Sequence, residues 1–299
     1  MAESKIAGLM QCGRRISEGE IQQIRETVEL FPHLSLSELV ATICQHLGWY
    51  TAGGGLKEDA CQKLLRKLEA RGMLRLPVKR RRGGGSHGIA LTHHSAAGAP
   101  LRCSLKELGR VWLEVVEGKK KRLWNEYVQR YHPLGYRHPF GYRMRYFIRW
   151  QHGILGCLLF CGAAKALGAR DRWIGWTDEQ RLQRLAWVVN NSRHLILPWV
   201  CVGNLSSYVL AQLARRIATD WESRWGYRPV LMESFVDPKH QGSSYKAAGW
   251  QYLGMTTGEG LVRPGHRYRT TPKMIFVKPL VDEFRHILCS PFVPAEVQP

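Results

Sequence analysis

Residues 193–254 read RHLILPWVCVGNLSSYVLAQLARRIATDWESRWGYRPVLMESFVDPKHQGSSYKAAGWQYLG. From His194 to Val202 the run is apolar around Pro198 and too short for a helix, which predicts a buried strand. Asn204 suits a helix N-cap, because its side-chain oxygen can accept from first-turn amides. Leu205, Val209, Leu213, Ile217 and Trp221 then recur every four residues, the core stripe of one long helix. Gly226 ends it, since glycine takes the left-handed conformation at little cost. Val230 to Val236 follows as a second strand. Strand, helix, strand in this order predicts a right-handed crossover between parallel strands.

Ligands meet such units at the carboxyl ends of the strands. The Val202–Ser207 turn brings free amides and the hydroxyls of Ser206 and Ser207 to that end, and Asp237 closes the second strand. Glu233 lies within the strand on the face of Leu231 and Phe235. A carboxylate between large hydrophobes is buried, and a lone buried charge is costly. Glu233 therefore pairs with an arginine, pairs with a metal, or is protonated. Arg193 on the neighbouring strand is the arginine expected from position.

After Asp237, Gly242-Ser-Ser-Tyr245 predicts a short helix and Gly249-Trp250 leads into a strand ending at Gly254. This succession resembles the C-terminal half of the GCN5-related acetyltransferase (GNAT) fold. That family's pyrophosphate loop, Gln/Arg-x-x-Gly-x-Gly/Ala, belongs before the long helix. Here the turn has only Gly203 and no basic residue, so no acetyl-CoA is expected.

With 299 residues, 44% of them apolar, the chain is long enough for a sizeable core and two domains. The formal net charge of +20 favours a polyanionic partner, with DNA first. No apolar run approaches the roughly 20 residues that span a bilayer, and the first twenty lack the apolar stretch of a signal peptide. Eight scattered cysteines, as in GCLLFC, read as small buried hydrophobes of a reducing cytoplasm rather than a zinc site.

Residues 1–78 read as three helices, Glu20–Leu30, Glu38–Leu47 and Lys57–Arg71, followed by a short strand over Met73–Pro77. Ser35 or Ser37 caps the second helix. That order predicts a winged helix-turn-helix whose third helix offers Lys57, Lys63, Arg66 and Lys67 to DNA. Residues 79–100 form a glycine-rich linker opening with Lys79, Arg80, Arg81 and Arg82, able to hold phosphates or simply to be solvated. A mixed α/β core domain is expected over 101–280 and a tail over 281–299.

Within the core domain, 101–130 reads as mostly helical, with Lys119, Lys120 and Lys121 as a second basic run. The stretch YHPLGYRHPFGY over 131–142, with Arg137 inside it and Arg143 after it, suits base stacking and phosphate contact, or a well-packed loop. His132 and His138 are poorly spaced for a metal pair. Arg143–Trp150 and Ile154–Gly162 predict a hairpin. Ala163–Leu167 reads as a short helix, 170–176 as a charged connector, Asp178–Leu185 as a helix and Met274–Val277 as the last strand.

Taken together, YHPLGYRHPFGYRMRYFI, RDRWIGWTDEQR, NNSRHLILPWV, NLSSYVL, DWESRWGYRPVLMESFVD and YKAAGWQYLGMTTGEG resemble the Druantia anti-phage DruA family. The resemblance implies a role in phage defence or on mobile elements, and it brings no catalytic residues.

The first functional reading is DNA-strand processing of nuclease, nickase or recombinase type. In one form Glu233, Asp237 and Asp171 hold Mg²⁺, which activates water. In the other, Tyr245 or Ser207 attacks the phosphate while Arg193 or Arg172 stabilises charge. A core hydroxyl and a helix-cap assistant are the alternative roles of Tyr245 and Ser207. The second reading is a non-catalytic DNA-binding subunit that recruits a helicase or transposase, and the third is a GNAT-type acyltransferase. A second copy of the chain is a further partner to consider.

Overall fold

The computed structural model describes residues 9–12, 14–51, 55–77, 89–258 and 270–290. They fall in two compact units. One holds the described residues through Pro77 together with His138–Tyr142; the other holds residues 89–137, 143–258 and 270–290.

The first unit pairs β1 (Leu9–Gln11) with β2 (Arg14–Ile16) and adds α1 (Glu18–Leu30), α2 (Leu36–Leu47) and α3 (Glu58–Ala70). Ser17 and Ser35 cap α1 and α2 in capping boxes with Glu20 and Glu38. The helices are there, but the expected wing is not: Met73–Pro77 forms no strand, and the Leu76 amide donates to the Glu69 carboxylate instead. A strand needs a partner edge, and this unit's strands pair with each other ahead of α1. Among the described residues the strand expected to follow the third helix is absent. The aromatic loop at 138–142 is a packed one: Phe31 sits edge-on to both Phe140 and Tyr142 at 5.1 Å. Gly141 is required there, since its φ is +67° and a Cβ would stand 2.6 Å from the Phe31 ring.

The second unit contains β3 (Leu101–Cys103), α4 (Leu105–Leu108), β4 (Trp112–Val115), α5 (Lys120–Tyr131), β5 (Arg143–Trp150), β6 (Gly153–Gly162), α6 (Gly168–Ile174), α7 (Asp178–Arg184), β7 (Val188–Ile196), β8 (Val200–Val202), α8 (Leu205–Ala214), α9 (Ile217–Trp225), β9 (Leu231–Val236), α10 (Ser243–Ala247), β10 (Gln251–Met255), β11 (Met274–Pro279) and α11 (Phe284–Cys289). Seven strands form one mixed sheet in the order β10-β11-β9-β7-β6-β5-β4. Among the described residues every neighbouring pair in it is antiparallel except β7 with β9. The strands β6 and β9 sit inside the sheet and are buried along almost their whole length, β6 as a nearly continuous apolar run and β9 with Glu233 and Ser234 at its centre.

The expected crossover from β7 to β9 is present, with two corrections. The strand starts earlier than His194, and β8 is separate, pairing with β3. The single long helix is two, α8 and α9. A four-residue repeat drifts about 40° per step around a straight helix. Breaking it at Arg215–Arg216 lets Leu205, Val209, Leu213, Ile217 and Trp221 all stay buried. The Arg216 guanidinium fastens the break, holding both Asp220 oxygens and the Leu113 carbonyl. The stretch 101–130 is strand, turn and helix rather than mostly helix. Its buried residues Val111 and Leu113 alternate, a period of two that matches pairing with β5. Ala163–Leu167 is not helical; the helix lies over the connector, as α6, and Gly175 closes it.

Candidate functional site

The strands β7 and β9 stay in register only from Val188–Leu231 to Asn191–Ser234. Beyond that point β7 runs on to Ile196 and β9 to Val236 without pairing to each other, so the sheet opens at the carboxyl ends of its parallel pair. A cavity of about 460 Å³ fills the opening. Asn191, Ser192 and His194 come to it from β7, Ser234 from β9 and Asp237 from just after it, Tyr245 from α10, Ser206 from α8, and His132 and Lys273 from flanking loops.

His194 Nε2 is sealed from solvent and has no hydrogen-bond partner. Burial, and secondarily His132, pushes the His194 pKa down to about 4. His132 is also lowered to about 4, by burial first and then by Arg193 and His240; its Nδ1 accepts from the Leu134 amide at 3.2 Å. Both imidazoles are neutral at ordinary pH, the form that accepts a proton. The His194 ring stands edge-on to Tyr245 with centroids 6.0 Å apart. Tyr245 donates to Asn191 Oδ1 at 2.6 Å, and Ser234 Oγ lies 3.1 Å from its hydroxyl. Burial pushes the phenol up to about 12, so it remains a proton donor. Phe276 stacks on Tyr245, and Gly242 makes room for it: φ is +65° and a Cβ would fall 2.3 Å from the Phe276 ring.

The residues expected to be catalytic separate here. Tyr245 and Asp237 reach the cavity. Asp237 caps the Pro238–His240 turn, and Lys273 holds its carboxyl below the usual range. Glu233 is fully buried and does not line the cavity: Oε1 accepts from the Ala164 amide at 2.8 Å and Oε2 from Arg170 Nη1 at 2.7 Å. Its partner is thus Arg170 on α6, not Arg193. Arg193 instead donates to the carbonyls of Gly135 and Ser192. Asp171, half-buried, accepts Arg170 Nε and Nη2, Trp176 Nε1 and the Leu167 amide, which completes an acid–arginine–acid chain. Ser207 donates to the Asn204 carbonyl and does not line the cavity; Ser206 does. Arg172 is exposed.

The Mg²⁺ site expected from Glu233, Asp237 and Asp171 has lost its ligands to these bonds. Among the described residues no group of three His, Cys, Asp or Glu side chains gathers to hold a metal. Of the basic residues, Lys63, Arg66 and Lys67 are exposed along α3 and Lys57 is half-buried before it. Lys119, Lys120 and Lys121 open α5, with Lys120 paired to Glu114. Arg137 is exposed and Arg143 half-buried. Lys79, Arg80, Arg81 and Arg82 lie outside the described residues. No described helix is long and apolar enough to cross a membrane. All eight cysteines are free; Cys12 and Cys201 are exposed rather than buried.

His194, Asn191, Ser234 and Arg170 were not singled out from sequence. The available signal was polarity inside an apolar central strand, NNSRH over 190–194.

The family model described as "Druantia protein DruA" matches residues 67–266. No curated protein matches the chain. Solved structures with a related outline include an acetyltransferase from Bacillus subtilis in complex with CoA, at 12% identity and a TM-score of 0.33, covering 57% of this chain and 100% of that one. An aminoglycoside acetyltransferase in complex with coenzyme A and kanamycin matches at 12% identity and a TM-score of 0.37, covering 57% and 95%. An N-acetyltransferase from Staphylococcus aureus matches at 7% identity and a TM-score of 0.35, covering 58% and 100%. The expectation of no acetyl-CoA is corrected: the first two of these neighbours are complexes with coenzyme A. Asn204, expected to cap the helix, instead takes the left-handed φ of 62° and leaves the first turn of α8 without a side-chain cap. At such TM-scores the likeness does not itself argue for a ligand.

Proposed function

The chain belongs to the DruA family of anti-phage proteins, and from that premise we propose that it is a group-transfer enzyme of acyltransferase type, working in the cleft between β7 and β9. The observation that carries this reading is His194, a neutral imidazole lining a cavity at the open ends of a parallel strand pair, whose buried Nε2 has no hydrogen-bond partner. A neutral imidazole is the form that can accept a proton from an incoming amine or hydroxyl.

The α8 end of the cleft fits the anionic part of an acyl carrier. Its first-turn amides have no side-chain acceptor, Gly203 has open space on its Cβ side, and Ser206 lines the cavity. An acyl thioester, when bound, supplies an activated carbonyl. His194 Nε2 accepts the proton of the acceptor group. Tyr245, anchored on Asn191, holds a proton next to the reacting region. Phe276 and Trp250 keep water away from its ring.

Calorimetric titration with acetyl-CoA, with thiol release followed in the presence of amine and hydroxyl acceptors, tests the proposal. Wild type is expected to bind and release thiol, and His194→Asn to bind without release. Absence of binding at millimolar acetyl-CoA overturns the reading.

A further inference from the structure

Arg145 of β5 is buried, with its guanidinium 5.3 Å from the Trp124 ring centroid and 5.5 Å from that of Tyr136. Nη2 donates to Tyr136 Oη at 2.7 Å, while Nε is sealed from solvent without a partner. Arg193 bonds backbone carbonyls only, one of them that of Gly135, next to Tyr136. Arg137 is exposed on the same loop. Arg143 and Arg224 repel Arg145, and Arg137 repels Arg193; with burial as the larger cause, both pKa values are pushed down.

Other arginines of this chain meet acids: Arg14 with Glu20, Arg170 with Glu233, Arg216 with Asp220, Arg228 with Glu222. Among the described residues no carboxylate pairs with Arg137, Arg145 or Arg193. Desolvating like charges together is costly unless an anion compensates them. Next to them the segment Gln129–Arg137 encloses an open pocket of about 620 Å³, which shares His132, Pro133 and Leu134 with the cleft cavity.

We propose that this arginine cluster binds the phosphate of a nucleotide, free or within a nucleic-acid strand, and that the ligand continues past His132–Leu134 into the cleft as the acceptor. Arg137 and Arg193 make the contact, and Arg145 supplies field from behind. The planar fork of arginine suits phosphate oxygens, and the net charge of +20 favours such a ligand. The acceptor role rests on the reading of the cleft as a transfer site; the phosphate site does not.

The test is fluorescence anisotropy of the full chain with a labelled single strand of about 12 nucleotides, a length that spans one binding groove. Arg137→Gln is expected to weaken binding roughly fivefold to tenfold and to flatten the salt slope by about 0.7. Arg193→Lys, which keeps the charge but loses the fork, is expected to weaken it less, and Arg25→Gln, an exposed arginine of the first unit, not at all. Displacement by millimolar adenosine monophosphate identifies a free nucleotide as the source, and failure to displace identifies a strand. Equal affinity and slope for Arg137→Gln and Arg25→Gln overturn the proposal. Oligonucleotide affinity is read without any acyl donor present, so failure of the catalytic reading is told apart from failure of this one.

Discussion

Arg170 Nη1 lies 2.7 Å from Glu233 Oε2, and neither side chain has any exposure to solvent. The two are 63 residues apart in the chain and tie α6 to the centre of the sheet. Burying them costs desolvation of both ions, and the geometry compensates it: the other Glu233 oxygen accepts from the Ala164 amide, and Arg170 Nε and Nη2 both donate to Asp171 Oδ1.

Glu233→Gln is therefore expected to destabilise the second unit by roughly 3–5 kcal/mol, because Arg170 is left short of compensating charge in a dry site. Urea denaturation followed by tryptophan fluorescence measures it. A midpoint within error of wild type would show that the pair contributes nothing.

His194 and His132 are lowered to about 4 in the folded chain, against about 6.5 when unfolded. Between those values the unfolded state binds more protons, so stability falls as pH drops from about 6.5 towards 4 and is constant above that window. His194→Asn is expected to be less sensitive to pH across it. Urea midpoints on either side of the window decide the matter, and a midpoint that rises on acidification contradicts the assignment.

Tyr245→Phe removes the donor to Asn191 Oδ1 and leaves that buried oxygen unsatisfied, at a cost of about 1–3 kcal/mol. Ultraviolet titration provides an independent check. One phenol, absent in the variant, should ionise only near 12, where burial has moved it. Ionisation of all tyrosines near the ordinary value of about 10 would mean that Tyr245 is not buried.

Gly242→Ala is expected to destabilise by roughly 1–2 kcal/mol from its left-handed backbone alone. The added methyl also meets the Phe276 ring, which must shift and disturb the stack on Tyr245. Thiol release should fall with it, while Gly203→Ala, whose Cβ meets open space, should retain the fold.

Local patterns carried much of the fold. The apolar run before Asn204, the four-residue stripe from Leu205 to Trp221 and the stop at Gly226 are read from neighbours a few residues away. They were enough for a parallel crossover, the short helix at Tyr245 and the burial of Glu233. The same patterns misread 101–130, because β3 and β4 are short and draw their pairing from β8 and β5.

What only the tertiary structure decided is who meets whom. That Glu233 takes Arg170 and leaves Arg193 to backbone carbonyls depends on where α6 lands. That β7 and β9 part after Asn191 and Ser234, opening a cavity around His194, depends on how far two strands can stay paired before the elements on either side divide them. Periodicity reports which side of a strand or helix is apolar. It holds no record of which distant group fills the space opposite, because that contact is set by closing long loops around a common core.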